Sequence, residues 1–303
     1  MSPVIAAASA RPPVASPLVA VPSPPRPIVL RDLFGPGELF RTDISHAVYH
    51  ADRSCVSSTG LKKIATQSPA HYRDYLDGGP LKETLAMFLG TAIHARVLEP
   101  NEFHSRYVVA PISDKRTTEW KEFVIANADR TPLTAVQMEI IDGIAHRVSQ
   151  HQSASSLLMS GWKEVTMIWQ DEETGIWLKI RPDCLCVDFD TGICMDLKST
   201  DDASPNEFAR SCVKYNYDIS AAMYLDGLRA VLKRDFDFAF LAAEKERPFE
   251  VALYGAPEEM LLRGQRRYRE ALRLVADCTR RNHWPGYQPD GDYEILNWPR
   301  FAL

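Results

Sequence analysis

The amino-acid sequence predicts one α/β domain with a mixed central sheet flanked by helices. First, residues 164–200 contain runs of apolar, β-branched and aromatic residues separated by turn residues, which is typical of an antiparallel three-stranded meander. Second, segments with helical periodicity precede this meander. Third, a helix, two further strands and a long helix follow it. Strands and helices in this order form layered α/β architectures, in which helices cover a sheet.

Length and composition are those of an ordinary globular protein. The chain has 303 residues, of which 45% are hydrophobic and 25% charged, so it can bury a sizeable core. The formal net charge of −5 excludes a global basic field that would attract nucleic acid, although a local basic surface would suffice. Six scattered cysteines favour buried, reduced thiols in a cytoplasmic protein. No segment is long and apolar enough to span a membrane, so we expect no membrane contact.

The N-terminal segment differs from the rest of the chain. Residues 1–28 consist mainly of Ala, Pro, Ser and Val, and the many prolines forbid a helix. The segment lacks the basic start and the unbroken apolar centre of a signal peptide. We therefore predict a disordered Pro/Ala-rich tail over 1–28 and a single folded domain over 29–303, with its packed part beginning near Tyr49.

Capping residues and apolar periodicity define most of the helices. Hydroxyl residues start a short helix within 57–64, and Ser68-Pro69 starts another that runs to Leu76. Apolar residues repeat at three- and four-residue spacing over 134–149. After the meander, the sequence predicts, in chain order, helices over 204–213 and 217–232, strands over 236–243 and 249–256, and a helix over 257–281.

A helix over 84–98 is apolar on nearly all sides, which predicts that it is buried. Gly90 lies within it and suggests close approach of another backbone, because glycine is costly inside a helix. His94 follows one turn later on the same face. A lone histidine on an apolar helix is usually a hydrogen-bonded core residue. Beside a metal site it becomes a candidate ligand or phosphate contact.

The second hairpin of the meander, formed by its second and third strands, carries the candidate chemistry. A strand from Ile176 to Asp188, a turn over 189–192 and a strand over 193–197 form a predicted hairpin. Asp196 and Lys198 are two residues apart, so their side chains leave the same face of the second strand.

Asp183 lies on the first strand of this hairpin and can converge with that pair. Carboxylate oxygens are the ligands that Mg²⁺ prefers, and a lysine beside a metal can orient or help deprotonate an attacking water. The alternative is a solvated hairpin edge, where lysine is common.

A stripe of arginines lies on the last predicted helix. Arg266, Arg269, Arg273 and Arg280 recur at helical spacing and form the concentrated basic surface of the sequence. Such a stripe is either a solvated helix face or a track for DNA phosphates.

Several separated stretches together point to one family. They are Ser68-Pro69-Ala70-His71-Tyr72, the segment Ala86 to His94 with Leu98-Glu99-Pro100, Arg181-Pro182-Asp183, Asp196-Leu197-Lys198-Ser199-Thr200, Ala221-Ala222-Met223-Tyr224 and Glu244-Lys245-Glu246. In these pieces the chain resembles the RecE-type (exonuclease VIII-like) exonucleases of phages and prophages, a branch of the PD-(D/E)xK nuclease superfamily. The Gly-x-x-x-His helix ahead of the meander distinguishes this branch.

The resemblance implies a Mg²⁺-dependent exonuclease, with Mn²⁺ as the substitute metal. Such an enzyme degrades one strand of linear double-stranded DNA from its 5′ end. It leaves a 3′ single strand for a single-strand annealing protein during recombination. Family members also form homo-oligomeric rings around DNA. The implied fold is the PD-(D/E)xK core, with a mixed sheet flanked by helices.

The resemblance also assigns roles to residues. Asp183 and Asp196 resemble the metal-binding carboxylates, and the Leu197 carbonyl would complete the metal shell. Lys198 would assist the nucleophilic water, and His94 would be the helix-borne residue of the site. Glu164 is a weaker match to an acidic metal ligand of the superfamily, with an exposed strand-end glutamate as the alternative.

The DNA contacts are the least complete part of the match. The family has a Gln followed four residues later by a Tyr, whereas this chain has Ser220 and Tyr224. A serine is too short for the same reach, so that contact is in doubt. Tyr224 and the arginines Arg266, Arg269 and Arg273 are our candidate DNA-binding residues.

Three other functions stay open. The first is an endonuclease on the same fold; a Cas4-like enzyme with an iron–sulfur cluster is rejected, because the cluster needs four grouped cysteines and the C-terminal region has Cys278 alone. The second is a catalytically inactive protein that binds DNA or a partner. The third is an accessory protein whose proline-rich tail recruits a partner.

Overall fold

The protein, seen as a computed structural model, is built around a mixed five-stranded sheet. The structure describes residues 29–78, 84–188, 191–288 and 290–296. The predicted tail over 1–28 and residues 189–190 of the predicted turn lie outside the described residues.

The strands of the described chain are β1 (Phe40–Arg41), β2 (Tyr107–Val109), β3 (Thr131–Leu133), β4 (Trp162–Lys163), β5 (Thr166–Gln170), β6 (Trp177–Ile180), β7 (Cys184–Cys186), β8 (Gly192–Thr200), β9 (Phe236–Glu244) and β10 (Val251–Gly255). The helices are α1 (His46–Ala51), α2 (Ser58–Thr66), α3 (Pro69–Leu76), α4 (Leu85–Leu98), α5 (Pro100–Arg106), α6 (Thr118–Ala126), α7 (Ala135–Gln150), α8 (Gln152–Ser160), α9 (Pro205–Lys214), α10 (Tyr217–Leu232) and α11 (Glu258–Arg281), and a 3₁₀ helix lies at Leu30–Leu33. Within the described ranges, no helix has both the length and the apolar composition that a bilayer span requires.

The central sheet has the strand order β10-β9-β8-β7-β4. Strands β8 and β9 are parallel, because α9 and α10 form the crossover between them, and the other pairs are antiparallel. A second sheet has the order β1-β5-β6, and β2 with β3 forms a small parallel pair. The predicted α/β fold with a mixed sheet and flanking helices is confirmed.

The predicted three-stranded meander is wrong in one respect, because its strands belong to two sheets. Strands β5 and β6 pair in the smaller sheet, whereas β7 and β8 pair in the central sheet. The predicted strand from Ile176 to Asp188 is interrupted between Ile180 and Cys184. Pro182 lies in the interruption and has no N–H for a strand ladder. Asp183 therefore lies where the chain passes from one sheet to the other.

Apolar helices cover both faces of the central sheet. On β8, Cys194 packs into the core shared with α2, α10 and α11, whereas Met195 and Leu197 pack into the core shared with α4, α7 and α8. Because side chains alternate along a strand, Asp196 and Lys198 face the side of α2 and α10.

Several predicted boundaries need correction. The packed chain begins well before Tyr49, because Leu30 is fully buried and β1 pairs with β5. The first turn of α4 is not buried: Leu85 is 68% and Met87 53% exposed. Strand β10 begins two residues later than predicted, because Phe249 has a left-handed backbone with a φ of 61°.

The crossing of α10 and α11 depends on a glycine. A Cβ added to Gly264 would lie 2.0 Å from the backbone oxygen of Asp218, which cannot move without displacing α10. We expect Gly264→Ala to lower the free energy of unfolding by about 2 kcal/mol, since the clash outweighs the better helix propensity of alanine. Urea denaturation measures this change.

Gly90 provides the matched control. A Cβ there would meet the Ser199 hydroxyl at an ordinary 3.6 Å, so the close backbone approach expected at Gly90 is wrong. Gly90→Ala should be neutral or add up to about 1 kcal/mol of stability. Equal stabilities of the two variants would contradict our account of the α10–α11 crossing.

Candidate active site

Asp183 is anchored to the neighbouring strand of the hairpin. It follows the Pro182 interruption, and its carboxylate Oδ2 accepts a hydrogen bond of 2.7 Å from the backbone N–H of Leu197 on β8. The residue is only 7% exposed. This bond places the carboxylate beside the segment that carries Asp196 and Lys198.

Asp196, which is buried, and Lys198, which is half-buried, form an ion pair on β8. The Lys198 ammonium also lies 3.5 Å from the Leu197 carbonyl oxygen. Its Nζ is 5.3 Å from the centroid of the Tyr217 ring on α10. The lysine is thus held between a carboxylate, a carbonyl and an aromatic ring.

His94 reaches this cluster from α4, on the opposite side of the sheet. Its Nε2 lies 2.8 Å from the Leu197 carbonyl oxygen, and its Nδ1 lies 3.5 Å from Asp183 Oδ2. Burial and the nearby Lys198 ammonium lower the pKa of His94, so the ring is neutral at pH 7. Because a carbonyl can only accept, Nε2 donates, and the Nδ1 lone pair faces Asp183.

Glu164 enters the site from the junction between β4 and β5. Its backbone is left-handed, with a φ of 54°, and its carboxylate is paired with the Arg181 guanidinium. Arg181 also donates 2.7 Å to the Ile44 carbonyl and 2.8 Å to the Thr166 hydroxyl. The side chain of Glu164 is only 12% exposed, so the alternative of an exposed strand-end glutamate is wrong.

Three of these side chains converge closely. Ligand atoms of His94, Glu164 and Asp183 all lie within 4.8 Å of one another. Burial and the neighbouring Asp196 charge raise the pKa of Asp183 well above its usual range. Burial and the Asp183 charge raise the pKa of Glu164 to about 7. Clustered carboxylates with such pKa values need a proton or a cation between them.

This donor set fits a divalent metal ion. The Nδ1 lone pair of His94 faces a carboxylate oxygen of Asp183 at 3.5 Å, an arrangement that is repulsive unless a proton or a metal cation lies between the two atoms. Carboxylate oxygens suit both Mg²⁺ and Mn²⁺. An imidazole nitrogen favours Mn²⁺, because Mn²⁺ is a transition metal. Asp183, Glu164 and His94 would hold the ion. Asp196, also a predicted ligand, lies outside this group and is paired with Lys198, and the predicted Leu197 carbonyl accepts the hydrogen bond from His94.

The raised pKa values predict that stabilisation by metal grows with pH. A carboxyl group whose pKa is raised by folding retains its proton above its unfolded pKa, so folding is disfavoured as the pH rises towards the folded value. A metal ion binds the deprotonated groups and removes this penalty. We expect Mg²⁺ or Mn²⁺ to raise the melting temperature more at pH 8 than at pH 6. An Asp183→Asn variant should lose most of this pH dependence. If metal raised the melting temperature of the wild-type protein equally at both pH values, that result would contradict the proposed ligands.

The candidate DNA contacts are less clearly placed. Tyr224 on α10 is half-buried, and its hydroxyl lies 3.5 Å from the Arg181 carbonyl, directly behind the interruption that carries Asp183. Ser220 is buried one turn earlier on the same helix. Tyr224 therefore contacts the chain two residues before Asp183, and its role in DNA binding stays a prediction.

Two members of the arginine stripe are paired with acidic side chains of another segment, and Arg280 is paired with Asp277 within α11. Arg269 pairs with Asp171 and Glu173, and Arg273 pairs with Glu173, all in the turn between β5 and β6. Arg266 is exposed. The paired arginines stabilise the docking of α11 against this turn, which leaves Arg266 as the freer candidate for a phosphate.

Sequence reasoning gave no role to three residues around the site. Arg181 belongs to the Arg-Pro-Asp match, but its pairing with Glu164 depends on the fold. Tyr217 lies seven residues before Tyr224, a helical spacing that points both rings towards the sheet. Lys62 on α2 contacts the same Tyr217 ring as Lys198, and no local pattern marks it.

The architecture and the motif together define the class of protein. A mixed sheet with flanking helices, and Pro-Asp followed on the next strand by Asp-x-Lys, are the features of the PD-(D/E)xK nuclease superfamily. The chain belongs to the family described as a PDDEXK-like domain of unknown function (DUF3799), whose model matches residues 57–297. No curated protein matches the chain. The narrower RecE-type relationship stays a prediction.

Two solved structures are similar to this one. The crystal structure of a "putative exonuclease" from Eubacterium rectale has a TM-score of 0.59 and 16% sequence identity, over 86% of this chain and 96% of that chain. The crystal structure of SSO0001 has a TM-score of 0.29 and 14% identity, over 64% of this chain and 88% of that chain. The first similarity supports the PD-(D/E)xK fold, and the second is too distant to support an inference.

Proposed function

We propose that this protein is a divalent-metal-dependent deoxyribonuclease that degrades linear double-stranded DNA from its ends. One observation carries the proposal: Asp183, Glu164 and His94 present ligand atoms within 4.8 Å of one another, beside the Asp196–Lys198 ion pair. Such a donor set next to a cation is suited to phosphodiester hydrolysis. The resemblance to RecE-type exonucleases supports Mg²⁺ as the metal, with Mn²⁺, which the imidazole nitrogen of His94 suits better, as the substitute.

In this hydrolysis a water oxygen forms a bond to phosphorus, the bond from phosphorus to the leaving sugar oxygen breaks, and one proton of the water ends on that sugar oxygen. A bound divalent ion supplies charge neutralisation at the phosphate and an activated water. Asp183, Glu164 and His94 would hold the ion, and the hydrogen bond from Leu197 N–H keeps Asp183 in position. The N–H of His94 orients the Leu197 carbonyl.

Lys198 acts as a fixed cation in this scheme. Burial alone would lower its pKa, but the charges of Asp196 and Asp183 outweigh that effect and raise it above the ordinary value. The ammonium therefore stays protonated at pH 7. It donates hydrogen bonds to the attacking water or to a phosphate oxygen.

The 5′-to-3′ direction, the production of 3′ single strands for an annealing protein, and a ring of subunits are further parts of the proposal. They rest on the motifs shared with RecE-type exonucleases. Light scattering of the purified protein measures the oligomeric state.

The test is digestion of a linear duplex labelled at either 5′ end, with Mg²⁺, Mn²⁺, Ca²⁺ or chelator, beside a closed circular duplex. We expect early release of the 5′ label from the linear DNA with Mg²⁺ or Mn²⁺, and an intact circle. Cleavage of the circle would indicate an endonuclease. No cleavage by folded protein with any metal would overturn the proposal in favour of a DNA-binding protein on a nuclease fold.

A further inference from the structure

A second lysine lies beside the candidate active site. The Nζ of Lys62, on α2, is 5.3 Å from the centroid of the Tyr217 ring. The Nζ of Lys198 is also 5.3 Å from that centroid. Two ammonium groups from different elements therefore share one aromatic ring at the edge of the metal-binding cluster.

The helix that carries Lys62 is firmly held. Leu61 and Ile64, on either side of it, are 0% and 4% exposed in the core. Gly60 packs against the Tyr72 ring, where an added Cβ would lie 2.8 Å from a ring carbon. The Ser57 hydroxyl accepts a hydrogen bond from Gly60 N–H at the start of the helix. These contacts fix the backbone of Lys62, so its position near Tyr217 is built into the fold.

The Lys62 ammonium lacks a paired carboxylate within the described part of the chain. Among the residues that the structure describes, none forms an ion pair with it, whereas Lys198 is paired with Asp196. Lys62 is half-buried. Burial and the positive charge of Lys198 lower its pKa to about 8. A partly desolvated cation beside a ring and a second cation is stabilised by an incoming anion.

The anion that a nuclease site receives is a phosphate of the DNA strand. We propose that Lys62, with the Tyr217 ring beneath it, forms a phosphate-binding subsite that holds the DNA strand next to the phosphate being cleaved. The inference rests on the proposed function, because it takes the substrate of that site to be DNA. Lys198 serves the cleaved phosphate, and Lys62 serves a neighbouring phosphate of the same strand.

A neutral and a charge-retaining variant test this subsite, with an adjacent lysine as the control. Lys62→Met keeps the apolar stem and removes the charge, and Lys62→Arg keeps the charge. Lys63→Met is the matched control, because Lys63 is also half-buried on α2 but lies about 100° further round the helix. Melting temperatures show that each variant is folded.

Binding of a labelled linear duplex is measured in Ca²⁺ over a range of salt concentrations, and cleavage in Mg²⁺. We expect Lys62→Met to weaken binding about tenfold and to reduce the slope of log K against log salt by about 0.9, the loss of one phosphate contact. The KM for cleavage should rise more than kcat falls. Lys62→Arg should stay within about threefold of wild type, and Lys63→Met should keep the wild-type slope.

The duplex is supplied with either a 5′-phosphate or a 5′-hydroxyl end. If the bound group is the terminal phosphate, the effect of Lys62→Met vanishes on the 5′-hydroxyl duplex; if it is an internal phosphate, the effect persists. The subsite would be overturned if Lys62→Met bound the duplex with the same affinity, and the same dependence of log K on log salt, as Lys63→Met. Wild-type protein that binds DNA with this dependence on Lys62 but cleaves nothing would overturn the proposed nuclease function and leave the subsite standing.

Discussion

Replacing Asp183 with asparagine is expected to abolish DNA cleavage and, at the same time, to stabilise the metal-free protein. Asparagine keeps an oxygen that can accept the hydrogen bond from Leu197 N–H, so the local fold is retained. It removes a buried negative charge from a site where burial and Asp196 raise the pKa of the carboxyl group. If Asp183 binds the metal as proposed, its loss should lower the cleavage rate at least about a thousandfold.

Initial rates in Mg²⁺ and urea denaturation in chelator at pH 8 measure the two effects. Asp188→Asn is the control, because Asp188 is an exposed carboxylate at the end of the same hairpin strand. It should change neither activity nor stability appreciably. Cleavage by Asp183→Asn within tenfold of wild type would remove Asp183 from the metal site. A loss of stability in chelator would contradict our account of the buried carboxylates.

Replacing Lys198 with methionine is expected to have the second large effect. The ammonium balances the buried carboxylate of Asp196, and breaking such a pair by removing one partner destabilises a protein by about 3 kcal/mol. The cleavage rate should fall by about a thousandfold, since the water and the phosphate lose a fixed donor. Metal binding should survive, because no ligand is removed, and added Mg²⁺ should restore much of the lost stability.

Calorimetric titration of metal, together with single-turnover cleavage, separates these effects. Lys214→Met is the matched control, because Lys214 is an exposed lysine whose Nζ lies 5.1 Å from the centroid of the Tyr215 ring. It should behave as wild type. If Lys198→Met lost metal binding but kept its single-turnover rate at saturating metal, Lys198 would be a structural partner of Asp196 and would have no part in the reaction.

The local parts of the site could be predicted from the sequence. Asp196 and Lys198 share a strand face because side chains alternate, and the hairpin brings Asp183 beside them through pairing of close neighbours in the chain. The meander prediction was wrong near Pro182. The apolar run continues through this residue, but the chain passes there from the smaller sheet to the central sheet. Periodicity records which residues are apolar but does not show which strand they pair with.

The distant parts of the site could not be derived from local patterns. His94 meets Leu197 across 103 residues of sequence, so only the family resemblance connected them. The position of Glu164 depends on a left-handed backbone at a residue type that gives no sign of it. No partner for Arg269 and Arg273 could be predicted from the sequence, because Asp171 and Glu173 lie about a hundred residues away from them.

The path of the chain between its two sheets has a mechanical consequence. The chain crosses from the central sheet to the smaller one after β4 and returns after β6. Glu164 lies at the first crossing and Asp183 at the second. Arg181, in the second crossing, is paired with Glu164 in the first. An ion held by both carboxylates would link the two sheets at the points where the chain crosses between them. Loading with metal should therefore slow amide exchange throughout β5 and β6, far beyond the residues that touch the ion.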